Sequence, residues 1–176
     1  GMKRFILSLA FGALASAATA QPLQLTVTPA AEEMQSAQDE LRCLARNIYF
    51  EGRNQNDRAM AAIGQVTINR QLSPNFPDTI CGVVRQGPLD GSKISKHRCQ
   101  FSWYCDGKED IAPVNQDYAE VEAWDRAQGI AYYVYYIADH DITAGSTYYH
   151  ANYVDPYWNA SMELVAEVGS HLFYVD

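Results

Sequence analysis

The spacing of apolar residues changes period once along this chain, and that change limits the fold more than any other feature. Up to about residue 138, apolar positions recur at i, i+3, i+4 and i+7, the mark of helices that bury one face. Leu41, Leu44, Ala45 and Ile48 form one stripe; Ala59, Ala62, Ile63 and Val66 form a second; Ala127, Ile130, Ala131, Val134, Ile137 and Ala138 form a third. Beyond that, "STYYHAN" and "LVAEVGSHLFYV" read as strands, with Gly169-Ser170 as a tight turn in the latter. Helices followed by a small antiparallel sheet toward the C-terminus make the chain α+β and mainly helical. The first helix is expected from about Ser36 to Phe50, and the second from Asn56-Asp57 to near Arg70. A short third helix in "DTICGVVRQG" is capped by Asp78 or Thr79 and stopped by Gly87, and a long fourth spans about Asp117 to Ala138. Residues 87–117 read mostly as loop, except for the β-prone "CQFSWY".

The N-terminus reads as a secretory signal. Gly1 ahead of Met2 looks like the scar of a removed tag. Lys3 and Arg4 form a basic start, Phe5 to Ala18 an apolar run, and Ala18-Thr19-Ala20 a small-residue cleavage site. The expected plan is therefore a signal peptide at 1–20, a flexible leader at 21–35, and a single catalytic domain at 36–176. Such a chain is exported to the periplasm or cell envelope and has no stable membrane insertion once the signal is gone. After cleavage eleven Lys and Arg remain (thirteen less Lys3 and Arg4) against 21 Asp and Glu, a formal charge of −10. A charge so negative argues against nucleic acid, whose affinity rests on phosphate contacts.

Cys43, Cys81, Cys99 and Cys105 are the four cysteines. An even number in an exported chain reads as two disulfides. Three connectivities are possible, and Cys43–Cys81 with Cys99–Cys105 is the favoured one. The second pair requires "CQFSWYC" to bend, because six extended steps span roughly 20 Å and a bridge needs Cα atoms about 5.5 Å apart. The spacings contain no C-x-x-C pair of the zinc type.

One residue breaks the helical pattern. Glu51 falls three positions after Ile48 and seven after Leu44, so it lies inside the apolar stripe of the first helix. Either the helix ends there and Glu51 turns to water or pairs with Arg53, or the carboxylate belongs to a site. The other chemistries have little support. The four histidines, His97, His140, His150 and His171, form no H-E-x-x-H motif, and Asp139-His140-Asp141 reads as a helix end. No G-x-S-x-G is present. No metal and no cofactor are implied. A carboxyl group on an apolar face favours its neutral form, and a neutral glutamic acid can protonate a glycosidic oxygen. An ordinary glycosidase would add a second carboxylate, for which Asp57, Asp106, Glu109 and Asp110 are candidates without an evident pairing. A single acid suffices where the sugar itself supplies the attacking oxygen.

"LARNIYFEGRNQ", "MAAIGQVTINR", "FPDTICGVV", "CQFSWYCDG", "TYYHA" and "VGSHLFY" run in that order between Leu44 and Tyr174. Together they resemble the SleB/CwlJ-type cell-wall hydrolases, the spore cortex-lytic enzyme family. The family pattern reads Glu-Ala-Arg where this chain has Glu51-Gly52-Arg53. The resemblance implies a lysozyme-like fold and, as substrate, the MurNAc–GlcNAc backbone of peptidoglycan glycan strands. It makes Glu51 the catalytic residue, acid toward the glycosidic oxygen and then base toward the muramyl C6 hydroxyl, as in lytic transglycosylases. Gln100 and Ser102, with Tyr148, Tyr149 and His150 from the sheet, become candidate substrate-binding residues, with packing as the alternative for each. Asn69, Arg70 and His171 are read as structural hydrogen-bonding partners. An N-acetylmuramoyl-L-alanine amidase and a catalytically silent peptidoglycan-binding protein are the alternative functions. A regulatory protein partner would leave no signature in the sequence.

Overall fold

The structure is a computed structural model that describes residues 28–111, 113 and 117–176. The expected signal peptide and residues 21–27 of the expected leader lie outside the described residues. Four helices precede the sheet: α1 (Pro29–Gly52), α2 (Asp57–Leu72), α3 (Ile80–Val84) and α4 (Tyr118–Tyr136). A hairpin of two-residue strands, β1 (Leu89–Asp90) with β2 (Lys93–Ile94), and a 3-10 turn at Ser102–Cys105 lie between α3 and α4. The chain ends in β3 (Tyr148–Ala151), β4 (Glu163–Val168) and β5 (His171–Val175). These three pair antiparallel in the order β3-β5-β4. The α+β class, mainly helical with a small C-terminal sheet, is as the apolar periods imply.

α2 is the centre of the molecule. Every residue from Ala59 to Thr67 is buried, so the helix is enclosed on all sides rather than amphipathic. α1 and α4 pack against it and each other. Ala59, Ala62 and Val66 meet Val168 and Phe173 of the sheet. Close approach of α1 to α2 is made at two glycines: a Cβ on Gly64 would come 2.9 Å from Ile48 Cδ1, and one on Gly52 would come 2.9 Å from Ile63 Cδ1. Gly52 thus seats the last turn of α1 on α2. Asn56, Thr79 and Asp117 cap α2, α3 and α4 with side-chain oxygens, each accepting from the backbone N–H two or three residues on. Gly169, at φ +60, makes the β4–β5 turn.

Four sequence expectations change. α1 starts at Pro29, seven residues before Ser36, so the end of the expected flexible leader is helical. Thr28 caps the helix and Pro29 occupies its first turn. That extension is mostly exposed, which is why no apolar stripe announced it. α4 stops at Tyr136, leaving Ile137 as its capping residue and 58% exposed, outside the buried stripe. "CQFSWY" is not a strand. It bends into the 3-10 turn because Trp103 is drawn inward: its indole N–H donates to Asn47 at 3.0 Å, and its ring stacks on Phe50 at 4.6 Å. Asn47 in turn donates to Thr67 of α2 at 3.0 Å, so this buried network ties the turn to both helices. The Leu89–Ile94 hairpin stands where only loop was expected.

Both disulfides follow the favoured pairing, Cys43–Cys81 and Cys99–Cys105, with Cα atoms 5.2 and 6.0 Å apart. The first pins α3 to α1, beside Glu40 accepting from the Ile80 and Cys81 N–H groups. The second closes the loop that carries Gln100 and Ser102. Chain entropy assigns about 4 kcal/mol to the longer loop and about 2 kcal/mol to the shorter. Replacing Cys43 and Cys81 by alanine should therefore lower the unfolding free energy more than replacing Cys99 and Cys105, as read by denaturant melts. Thiol titration of the unfolded, unreduced chain should find no free sulfhydryl.

Candidate active site

Glu51 sits on the last turn of α1, on the side that Leu44 and Ile48 bury. It does not pair with Arg53. Arg53 donates instead to Glu120 of α4 at 3.0 Å, and the Tyr49 hydroxyl also bonds Glu120. That arrangement locks the end of α1 onto α4 and leaves Glu51 facing a cleft between the helices and the sheet.

The cleft encloses about 760 Å³. Glu51 comes from α1 and Arg70 from the end of α2. Gln100, Phe101 and Ser102 come from the disulfide loop. Tyr148, Tyr149 and His150 come from β3, Trp158 from the loop after it, and His171 from β5. All six residues expected at the site, Glu51, Gln100, Ser102, Tyr148, Tyr149 and His150, line this one cavity. Their surroundings differ. Gln100 and Ser102 are exposed on one wall. Tyr149 donates its hydroxyl to Glu51 Oε2 at 3.0 Å, with its ring stacked on Phe173. His150 is engaged at both nitrogens, Nδ1 with the Ala151 carbonyl and Nε2 with the Tyr174 hydroxyl, each at 2.9 Å. Tyr148 packs edge-on to Phe76 and tilted against Trp158.

β3 reaches Glu51 because α2 holds the chain leading into it. Gln65 donates to the His140 carbonyl and accepts from the Ile142 N–H, both at 2.9 Å. Asn69 donates to Asp141, Thr143 and the Ser146 carbonyl. Arg70 Nε donates to the Thr147 carbonyl at 2.6 Å. Gln65 and Asn69 are structural, as is one edge of Arg70. Arg70 and His171 nevertheless also line the cleft, a placement the sequence did not announce. Asn69-Arg70 at the end of a buried stripe was the only local sign, since a polar pair there needs partners from another element.

Burial raises the Glu51 carboxyl above the ordinary carboxylate range; the Tyr149 hydrogen bond and the Arg70 charge partly oppose it. Burial and the neighbouring Glu51 charge push the Tyr149 hydroxyl well above its usual value, so it stays a donor. No other carboxylate among the described residues lines the cleft. Asp57 pairs with Arg126 at 2.6 Å, Asp110 faces Arg46, Asp106 accepts from the Lys108 N–H, and Glu109 is exposed. Among the described residues no three His, Cys, Asp or Glu side chains gather to hold a metal ion.

Residues 54–174 match the family described as Cell Wall Hydrolase. The chain belongs to the cell wall hydrolase family. The matched segment begins three residues after Glu51, so it covers the cleft's other walls and not the acid itself. Among solved structures the chain is similar to the catalytic domain of the Bacillus cereus SleB protein, at 20% identity and a TM-score of 0.50. That likeness covers 78% of this chain and 91% of the other. It is also similar to the catalytic domain of the germination-specific lytic transglycosylase SleB from Bacillus anthracis, at 21% identity and a TM-score of 0.51. There the coverage is 78% of this chain and 95% of the other. These likenesses show the fold, which is lysozyme-like as expected. No curated protein matches.

The raised Glu51 carboxyl has a consequence for stability. Its proton is held more tightly in the folded state than in the unfolded one. The stabilisation is complete below the unfolded value and is lost as pH rises through the folded one. Glu51→Gln, which cannot ionise, should escape that loss. Thermal melts should show the variant gaining on the parent as pH climbs from about 4.5 toward neutrality. Melting temperatures that fall in parallel would contradict a desolvated Glu51.

Proposed function

We propose that the protein is a lytic transglycosylase that cleaves the MurNAc–GlcNAc bond of peptidoglycan with Glu51 as its one acid and base. The supporting observation is that Glu51 is, among the described residues, the one carboxyl group lining the cleft, desolvated and oriented by Tyr149. A hydrolytic glycosidase places two carboxyl groups about the scissile bond, one to protonate the leaving oxygen and one to attack or to activate water. Here the described walls offer only Glu51. The reaction that fits gives the Glu51 proton to the glycosidic oxygen as the muramyl C1–O bond breaks. The leaving GlcNAc departs with a free hydroxyl. The muramyl C6 hydroxyl then bonds to C1 and returns its proton to the Glu51 carboxylate. The product is a 1,6-anhydro sugar, no water is consumed, and the acid is regenerated.

In this reading Gln100, Ser102 and Tyr148, which line the same cleft, offer polar groups to sugar hydroxyls and acetamido groups, and Tyr149 orients the acid. Site of action is inferred as the periplasm or cell envelope. Two disulfides suit an oxidising compartment. Among the described residues no helix is long and apolar enough to cross a membrane.

Glu51→Gln should lower release of soluble muropeptides from purified sacculi by about 10²–10⁴-fold, with the protein still folded. Products of the parent enzyme should carry anhydro ends. Reducing ends abolished by the same substitution would replace the transglycosylase with a hydrolase. Free stem peptides, released regardless of Glu51→Gln and lost with chelator, would replace it with a metal-dependent amidase.

A further inference from the structure

Arg70 is a buried cation without a matching anion. It is 4% exposed, and no carboxylate lies within ion-pair distance of it among the described residues. Its Nε bonds the Thr147 carbonyl, yet Nη1 is buried with no hydrogen-bond partner. The guanidinium carbon lies 5.1 to 5.9 Å from the ring centres of Phe101, Phe76 and Tyr148. These rings favour a cation but do not replace a counter-ion, and burying an unpaired charge is costly. Arg70 lines the same cleft as Glu51.

We propose that Arg70 is a positioning residue whose buried guanidinium supplies the counter-charge for the Glu51 carboxylate that forms when the proton is donated. This rests on the transglycosylase reading, because only a residue that gives up a proton and takes it back needs both states within reach. Burial alone would hold the proton on Glu51, making it a reluctant acid. A fixed positive charge that water cannot screen opposes that bias. The same carboxylate relieves the isolation of Arg70, so the two charges complete each other once per cycle. The other groups facing Glu51 do not supply the charge. Tyr149 from β3 is held in its neutral form. His171 from β5 is lowered by burial and by the neighbouring His150. Arg53, which caps the C-terminus of α1, is committed to Glu120. Gln100 and Ser102 carry no charge.

The test is the ionisation of Glu51 itself, followed by carbon NMR of protein labelled at the glutamate carboxyls. In folded Arg70→Gln the Glu51 midpoint should move upward by about one pH unit, a tenfold gain in proton affinity. In Arg70→Lys, which keeps the charge, it should stay near the parent value. Cleavage needs protonated Glu51, so the alkaline limb of the activity profile should move the same way. A purely structural arginine would lower the height of that profile and leave the limb in place. An unmoved midpoint in folded Arg70→Gln overturns the proposal. If that variant does not fold, the Nε–H resonance of Arg70 in the unaltered protein decides. It should shift with pH at the Glu51 midpoint and become flat in Glu51→Gln; a flat trace in the unaltered protein overturns the proposal. A coupled midpoint together with full glycan cleavage by Glu51→Gln would support the charge pairing and remove the transglycosylase reading instead.

Discussion

Three side chains of one helix hold the backbone of another segment, and the site depends on that grip. Gln65, Asn69 and Arg70 together bond backbone groups at positions 140, 142, 146 and 147. A connection with many polar backbone groups is thereby fixed against the C-terminal half of a helix whose middle is buried on all sides. β3 starts from that fixed point, and its alternation then decides which side chains face inward. Tyr149 lands against Glu51, and Tyr174 pairs across the sheet with Tyr148. A one-residue slip of β3 would exchange its two faces and take the hydroxyl away from the acid. The fold and the site thus share a single constraint, which lives in α2 and not in the strands.

The electrostatics of the cleft balance opposing terms. Desolvation keeps a proton on Glu51, while the Tyr149 hydroxyl and the Arg70 guanidinium favour the carboxylate. An acid poised between those influences can give and take a proton in turn, and its optimum lies where neither form dominates. A second carboxylate would disturb the balance by like-charge repulsion and by raising the cost of ionisation further. The solitary acid therefore agrees with a reaction that needs one group for two steps. Glu120, the nearest competing use for a cation at the end of α1, is satisfied by Arg53 and Tyr49.

α1 and α4 were legible because each buries a face at helical period, α2 because its apolar residues recur at the same spacing, and the last two strands because β-prone runs flank the Gly169-Ser170 turn. Glu51 was legible as the polar exception within the α1 stripe. The 3-10 turn was not. Local β propensity in "CQFSWY" yields to the burial of Trp103 and its bond to Asn47, and that partner lies more than fifty residues away in sequence. The start of α1 was hidden because an exposed helix has no stripe; the Thr28-Pro29 cap was its sole signal. The Leu89–Ile94 hairpin has its turn signal in "DGS", with strands too short to show alternation. Arg70 was read as a structural partner and is one through Thr147. Its second role depends on what surrounds it in three dimensions, because no spacing along the chain reports that a guanidinium is buried without an anion.

In the proposed reaction one carboxyl group does the work of two and the sugar supplies its own nucleophile. Digesting purified sacculi in heavy-oxygen water tests this most directly, because any hydrolytic event writes solvent oxygen into the new muramyl end. Transglycosylation should yield muropeptides whose anhydro ends carry no solvent label, in amounts that track intact Glu51. Labelled reducing ends formed by the same protein would show that water attacks, and would contradict it.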